Sequence, residues 1–224
     1  MLNYIWVIPN ILATSSIPTE DDVDKIVSLF KSVIPLVEER EFKYDPEVLK
    51  EKGVYVYHIP IPDSSTPNLI VLHEVIDFIS KCEKPVLIHC CGGCGRSGTV
   101  VTAYLMSTEG LKYEEALIKA RSINPCFVES EEQHRVLRLY DRLLGAVPTV
   151  LLSKVIEIGK NFRFGRGVGH VSKVLELSVE LVSELEHYNL LSLKTDVERT
   201  LYIAAILHDI GVYKGFSSHK VYMS

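Results

Sequence analysis

The chain has 224 residues, 47% of them hydrophobic and 24% charged, and a formal net charge of −5. Such a composition is that of a globular protein able to build a sizeable core, and the length is that of one complete domain plus a smaller appendage. The acidic balance excludes a general polyanion binder, because affinity for a nucleic-acid backbone rests on clustered Lys and Arg, so no nucleic-acid partner is expected.

Tyr4 to Val7 and Ile11 to Ala13 read as short strands around a turn, and Glu20 to Phe30 has helical apolar spacing at Val23, Ile26, Val27 and Phe30. Pro9, Asn10 and Pro18 interrupt the opening apolar stretch and it lacks a basic start, so neither a signal peptide nor a membrane span is expected. Ser32 to Val37 is the next strand, Pro46 to Lys52 a short helix closed by Gly53, and Val54 to Ile59 alternates as a strand does. A proline-bounded loop from Pro60 to Pro67 leads to a helix over Asn68 to Lys81, then to the short apolar run Pro85 to His89, read as a buried central strand. Helices follow at Arg96 to Ser107, Tyr113 to Ser122 and Glu131 to Leu144, the last with Ser130 and Gln133 at the spacing of a capping box.

Strands alternating with helices imply an α/β fold, a central mostly parallel sheet flanked by helices, with ligands at the carboxyl ends of the strands. From Thr149 onward only helix signals remain, at Val150 to Ile158, Val171 to His187 and Val197 to His208. The charge shifts at the same place: residues 1 to 147 hold 15 Lys and Arg against 21 Asp and Glu, residues 148 to 224 hold 9 against 8. Two domains are therefore expected, 1–147 and a smaller all-α segment 148–224. The cysteines (Cys82, Cys90, Cys91, Cys94, Cys126) are odd in number and crowded into one turn, a poor layout for a disulfide framework. Reduced thiols and a cytoplasmic location are the expectation.

The segment His89-Cys90-Cys91-Gly92-Gly93-Cys94-Gly95-Arg96-Ser97-Gly98 sets five residues, three of them glycine, between a cysteine and an arginine. Small residues let successive N–H groups of Cys91, Gly92, Gly93, Cys94 and Gly95 turn inward as an anion-binding nest, to which the following helix adds the positive end of its dipole. A cysteine facing that nest is favoured as a thiolate, and Arg96 supplies a planar fork for two phosphoryl oxygens. Cys-Cys-Gly-Gly-Cys also has the look of a metal or redox cluster, but a tetrahedral zinc site needs four ligands and no second cysteine pair completes one. Cys91 and Cys94 read as small fillers of a tight loop.

The same segment resembles the signature of the protein tyrosine phosphatase superfamily, compact dual-specificity type. Trp6-Val7-Ile8-Pro9, Leu12-Ala13 and the region Glu129 to Gln133 resemble that family too. The resemblance implies that Cys90 attacks phosphorus, Ser97 helps release the thiolate, Gln133 positions the hydrolytic water and His89 orients the loop. It also makes Asp63, in Pro62-Asp63-Ser64-Ser65-Thr66-Pro67, the general acid, although an Asp there also suits the start of a turn. The expected substrates are phosphorylated proteins or peptides, with no cofactor and no membrane partner.

In the tail, Gly169-His170-Val171 and Ala204-Ala205-Ile206-Leu207-His208-Asp209 resemble the metal-dependent HD phosphohydrolase family. That likeness implies His170, His208 and Asp209 as ligands of a divalent metal. No Asp follows Asp209, so His219 is the substitute for a distal ligand. The alternative function is then an HD-type nucleotide or polyphosphate hydrolase whose amino-terminal domain is regulatory or phosphate-binding.

Overall fold

The structure, a computed structural model, describes residues 2–214. The distal ligand expected at His219 lies outside the described residues. Two compact units emerge, one built from Met1–Pro67 with Val75–Leu137, the other from Asn68–Glu74 with Arg138 onward. Among the described residues no helix is long and apolar enough to cross a membrane.

The first unit is built on a five-stranded sheet: β1 (Tyr4–Ile8), β2 (Leu12–Ser15), β3 (Ser32–Pro35), β4 (Tyr55–Val56) and β5 (Val86–His89), in the spatial order β1-β2-β5-β3-β4. Only the β1–β2 pair is antiparallel; β2, β5, β3 and β4 run parallel. All four residues of β5 are buried, as expected of a central parallel strand whose side chains on both faces avoid water. Ser15 and Pro35 both sit opposite His89, so three strands end at one level and the chain after β5 starts its loop there.

Around the sheet run α1 (Val23–Leu29), α2 (Pro46–Glu51), α3 (Leu69–Lys81), α4 (Gly95–Glu109), α5 (Tyr113–Ile123) and α6 (Glu131–Ala146). Asp45 caps α2 by accepting from the Glu47 N–H at 2.9 Å, and Pro46 supplies its first residue. Ile26 and Phe30 from the α1 region meet Ala13, Val33 and Leu87 of the sheet, with the Tyr4, Trp6 and Phe30 rings closing the cluster. Helix α4 is buried from Gly95 to Met106, which its run of Gly, Ser, Thr, Val and Ala permits by keeping the packed surface small.

The strand expected over Val54 to Ile59 keeps only Tyr55–Val56. Tyr57 N–H and Ile59 N–H still donate to Val33 and Pro35, at 2.9 and 3.0 Å. Pro35 has no N–H to return the next bond, so the ladder stops while the chain continues beside β3.

The second unit contains α7 (Thr149–Asn161), α8 (Val168–His187) and α9 (Thr195–Leu207). Leu152, Val155, Ile156, Val171, Leu175, Val179, Tyr202 and Ile206 are buried. Arg142 donates to Glu186 at 2.7 Å and to Tyr202 at 3.1 Å. The dividing line differs from the one expected at 147/148, since it runs through α3 and α6. Buried His73 explains this: its ring bonds the Tyr140 hydroxyl at 2.8 Å and the Ser153 hydroxyl at 3.0 Å, while Glu74 pairs with Lys160 at 3.0 Å. The start of α3 and the end of α6 thereby belong with the helical tail.

Candidate active site

The loop after β5 is held at its start from both sides by the chain just beyond β2 and β3. Ile17 N–H donates to the Cys91 carbonyl at 3.0 Å and Leu36 N–H to the His89 carbonyl at 2.9 Å. Gly93 is required at its place: φ is +78° and a Cβ would stand 2.8 Å from the backbone of Ser15 and Ser16. The resulting turn lets the Gly93 N–H donate to the Cys90 sulfur at 3.2 Å, and Cys90 is 2% exposed.

Arg96 lies in the first turn of α4, also 2% exposed, and its guanidinium is fully occupied at its far end. Nη1 and Nη2 grip the two carboxylate oxygens of Glu41 at 2.9 Å each. Nη1 also donates to the Ile61 carbonyl at 2.8 Å, and Nη2 to Asp63 Oδ1 at 3.2 Å. Burial opposes the charge, but Glu41, the Cys90 sulfur and Asp63 outweigh it and raise the guanidinium above its ordinary pKa. The Arg96 bond in turn depresses Glu41, against a burial penalty, to about 2. A depressed carboxylate contributes stability above its unfolded value and loses it as pH falls through the folded one, so this pair survives mild acid and fails only near pH 2.

Asp63 stands in the loop beyond β4, with an exposed carboxylate. Gln133 is buried in the first turn of α6, where its Oε1 accepts from the Glu129 and Ser130 N–H groups at 2.8 and 3.3 Å. The Gln133 N–H donates to the Ser130 hydroxyl at 3.3 Å, which completes the reciprocal cap expected from the sequence. Asp63, Ser64, Cys90, Cys91, Gly92, Gly95, Arg96, Glu129, Ser130 and Gln133 line one cavity of about 310 Å³. Residues from three separate segments, 63–64, 90–96 and 129–133, thus meet in one cavity. Ser97 is buried behind it, its hydroxyl without a hydrogen-bond partner among the described residues. His89 bonds the Tyr44 hydroxyl at 2.8 Å, and burial pushes its pKa down to about 3, so it is a neutral strut at ordinary pH.

Two features depart from expectation. Cys94 is no mere filler: it is joined to Cys126 in a disulfide with Cα atoms 5.2 Å apart, which corrects the reading of all five thiols as reduced. Sequence spacing hid this, because the 32-residue separation is closed only when α4 and α5 fold back on each other. Glu41 was missed as well. It belongs to Glu38-Glu39-Arg40-Glu41, a run that reads as a solvated charged stretch, and only the 3₁₀ turn at Glu39–Glu41 aims its last carboxylate at Arg96.

A second cluster occupies the helical unit. His170 Nε2 and His208 Nε2 are 3.2 Å apart, and Asp209 Oδ2 is 3.0 Å from the first and 3.2 Å from the second. The His208 Nδ1 bonds the Ala205 carbonyl at 2.8 Å, which turns the other nitrogen toward the cluster. Arg166 approaches the same Asp209 oxygen at 3.3 Å. The three residues singled out in the tail are therefore brought together.

Comparison with known proteins places these features in context. Residues 15–143 match the family described as "Dual specificity phosphatase, catalytic domain". Protein tyrosine phosphatase domain-containing protein 1 of Bos taurus is 27% identical over 161 residues, 62% of this chain and 20% of that protein. Dual specificity protein phosphatase OPG106 of vaccinia virus (strain Western Reserve) is 38% identical over 79 residues, 31% of this chain and 46% of the relative. The chain thus spans less than half the length of these curated relatives. Among solved structures, Tk-PTP in its active form is 38% identical with a TM-score of 0.60, covering 62% of this chain and 95% of that one. PTPMT1 in complex with PI(5)P, 24% identical with a TM-score of 0.58 over 64% of this chain and 97% of that one, shares the fold.

Proposed function

The chain belongs to the dual specificity phosphatase catalytic-domain family, and from that premise we propose that it hydrolyses phosphomonoesters of phosphoproteins, phosphotyrosine and also phosphoserine or phosphothreonine, through a phosphocysteine on Cys90. The observation that carries the reading is the convergence of Cys90, Arg96, Asp63 and Gln133 on one cavity. Chemistry assigns each a part. The Cys90 thiolate attacks phosphorus while the bond to the leaving oxygen breaks and protonated Asp63 gives that oxygen its proton. Loop N–H groups and Arg96 hold the three equatorial oxygens, over which the charge of the phosphoryl group is spread as it passes in line from the leaving oxygen to sulfur. Water then attacks the phosphocysteine, ionised Asp63 takes its proton, the P–S bond breaks and the thiolate is regenerated. The Gln133 amide positions that water and the Ser97 hydroxyl donates to the departing sulfur. His89, neutral and tied to Tyr44, keeps the start of the loop in place. No step in this sequence calls for a metal or cofactor.

The experiment that tests the acid is Asp63→Asn. The substitution keeps the shape of the side chain and removes its proton, so kcat falls about a hundredfold or more with phenolic or alkyl leaving groups, the scale of a lost general acid. A strongly activated aryl phosphate suffers much less, because its leaving group departs without help. Equal loss on both substrates would mean that Asp63 only shapes the loop.

A second reading concerns the tail and is favoured by one observation, the three donor atoms lying within 4.8 Å of one another. Two imidazoles and a carboxylate suit a borderline divalent cation, and the His208 bond to Ala205 presents the free nitrogen as a ligand requires. His170, His208 and Asp209 would hold the ion, which supplies Lewis acidity toward a water or phosphate oxygen. Elemental analysis of the full chain checks this: the protein should retain a stoichiometric divalent ion, lost in His208→Ala without change in aryl phosphatase activity. Equal metal content in both proteins would remove the triad from consideration.

A further inference from the structure

The cavity around Cys90 is built for a dianion, yet its lining is poor in positive charge. Among the described residues Arg96 is the one cation lining it, and its charge is already met by the two-oxygen grip of Glu41 and by Asp63. Among the described residues no lysine lines the cavity. Two further cations on the same segments are also engaged, Arg40 with Glu38 at 2.8 Å and Arg135 with Glu132 at 3.3 Å.

Glu129 adds a carboxylate on the opposite side from Asp63 in sequence. It is exposed, lines the cavity, and its side chain has no hydrogen bond or ion pair among the described residues. Its Oε2 would stand 2.6 Å from a Cβ placed on Gly95, the last residue before Arg96, so it hangs over the end of the phosphate loop. The backbone that carries it is pinned. Arg121 donates to the Phe127 and Val128 carbonyls at 3.0 and 2.8 Å, and Cys126 is bonded to Cys94. An unpaired carboxylate fixed beside an anion site disfavours every incoming phosphate unless the substrate brings a compensating cation. More anionic ligands are disfavoured further.

We propose that the preferred substrate is a phosphopeptide with Lys or Arg beside the phosphoresidue, recognised by Glu129, and that polyanionic phosphoesters are disfavoured by the same carboxylate. This rests on the phosphatase reading above and names its substrate class. The basic side chain reaches the mouth while the phosphoryl group fills the nest, and its charge completes a site that otherwise carries an excess of negative groups. Exposed ion pairs act weakly, so each contributes a factor of up to about five, and the preference is a graded one that salt screens.

The test uses the full chain and matched phosphotyrosine peptides that differ only in flanking Lys and Arg or flanking Asp and Glu, with a generic aryl phosphate and a phosphoinositide in neutral phosphatidylcholine vesicles as further arms. At low salt, kcat/KM for the basic peptide should exceed that for the acidic one about three- to tenfold, and the ratio should shrink as salt is raised. Glu129→Gln should bring the ratio toward one and Glu129→Lys should invert it; Glu129 is exposed, so neither substitution disturbs the core. A wild-type ratio at or below one, a ratio indifferent to both substitutions, or faster turnover of the phosphoinositide than of either peptide would overturn the proposal. Hydrolysis of the aryl phosphate in those cases would leave the phosphatase reading standing. Failure of every substrate, aryl phosphate included, would end both.

Discussion

Cys90→Ser should reduce turnover of any phosphomonoester to the background rate while the protein still binds vanadate or tungstate. The hydroxyl is a far weaker nucleophile than a thiolate: Cys90 accepts a hydrogen bond from Gly93 N–H, and no side-chain base is seen hydrogen-bonded to it among the described residues. The Gly93 N–H bonds the sulfur and can be accepted by a serine oxygen in its place. The turn at Gly93 and the bonds from Ile17 and Leu36, which hold the oxyanion cradle in shape, are not touched by the substitution. Rate and binding therefore part company, and titration of both proteins with tungstate alongside an activity assay reads the two effects independently. Retained activity, or a parallel loss of tungstate affinity, would show that the loop does not work as described.

Arg96→Lys is the second large effect and has the opposite signature, since it loses rate and oxyanion affinity together. The guanidinium is a plane whose far end is held by Glu41 and Ile61, which fixes the direction of its remaining N–H groups. An ammonium can satisfy Glu41 but cannot at the same time offer a rigid edge to two phosphoryl oxygens. A fall in kcat/KM of about a hundred- to a thousandfold is expected, the scale of a lost transition-state donor. Because Glu41 keeps a cationic partner, the fold should persist, and a thermal melt close to that of the wild type separates this outcome from unfolding. Activity within a few-fold of the wild type would show that the fork is not used.

The placement of the residues around the loop from Cys90 to Arg96 was legible because it is local. Cys90, the glycines, Arg96 and the start of α4 follow one another along the chain, so spacing alone conveys a nest, a fork and a helix end. The cap at Ser130 and Gln133 was legible for the same reason. Glu41 and Cys126 were not, since each acquires its meaning from a partner in another segment: Arg96 is 55 residues from Glu41 and Cys94 is 32 from Cys126. Charge patterning cannot distinguish a carboxylate that grips a buried arginine from one in water, as Glu38 and Glu41 in the same short run show.

The unit boundary illustrates another limit. Composition shifts at Pro148, where the charge balance changes, yet His73 bonds both Tyr140 and Ser153 within the helical unit. Apolar periodicity reports that a helix has a buried face without naming the body that buries it. α3 and α6 each serve two units along their length, and a motif-based boundary falls where the motif ends. The same reasoning covers β4, whose alternating pattern was right for a strand while the missing N–H of Pro35 ended the ladder.

The most direct measurement is to locate the phosphoryl group during turnover. Wild-type protein mixed with a fast aryl phosphate, quenched in acid and digested, should yield the peptide containing Cys90 in a phosphorylated form. Gln133→Ala should raise its yield, because loss of the water-positioning amide slows hydrolysis of the intermediate more than its formation. Cys90→Ser should give none. A phosphoryl group on Cys91, on a histidine of the tail, or on no residue while product accumulates in step with substrate loss would contradict a phosphocysteine at Cys90.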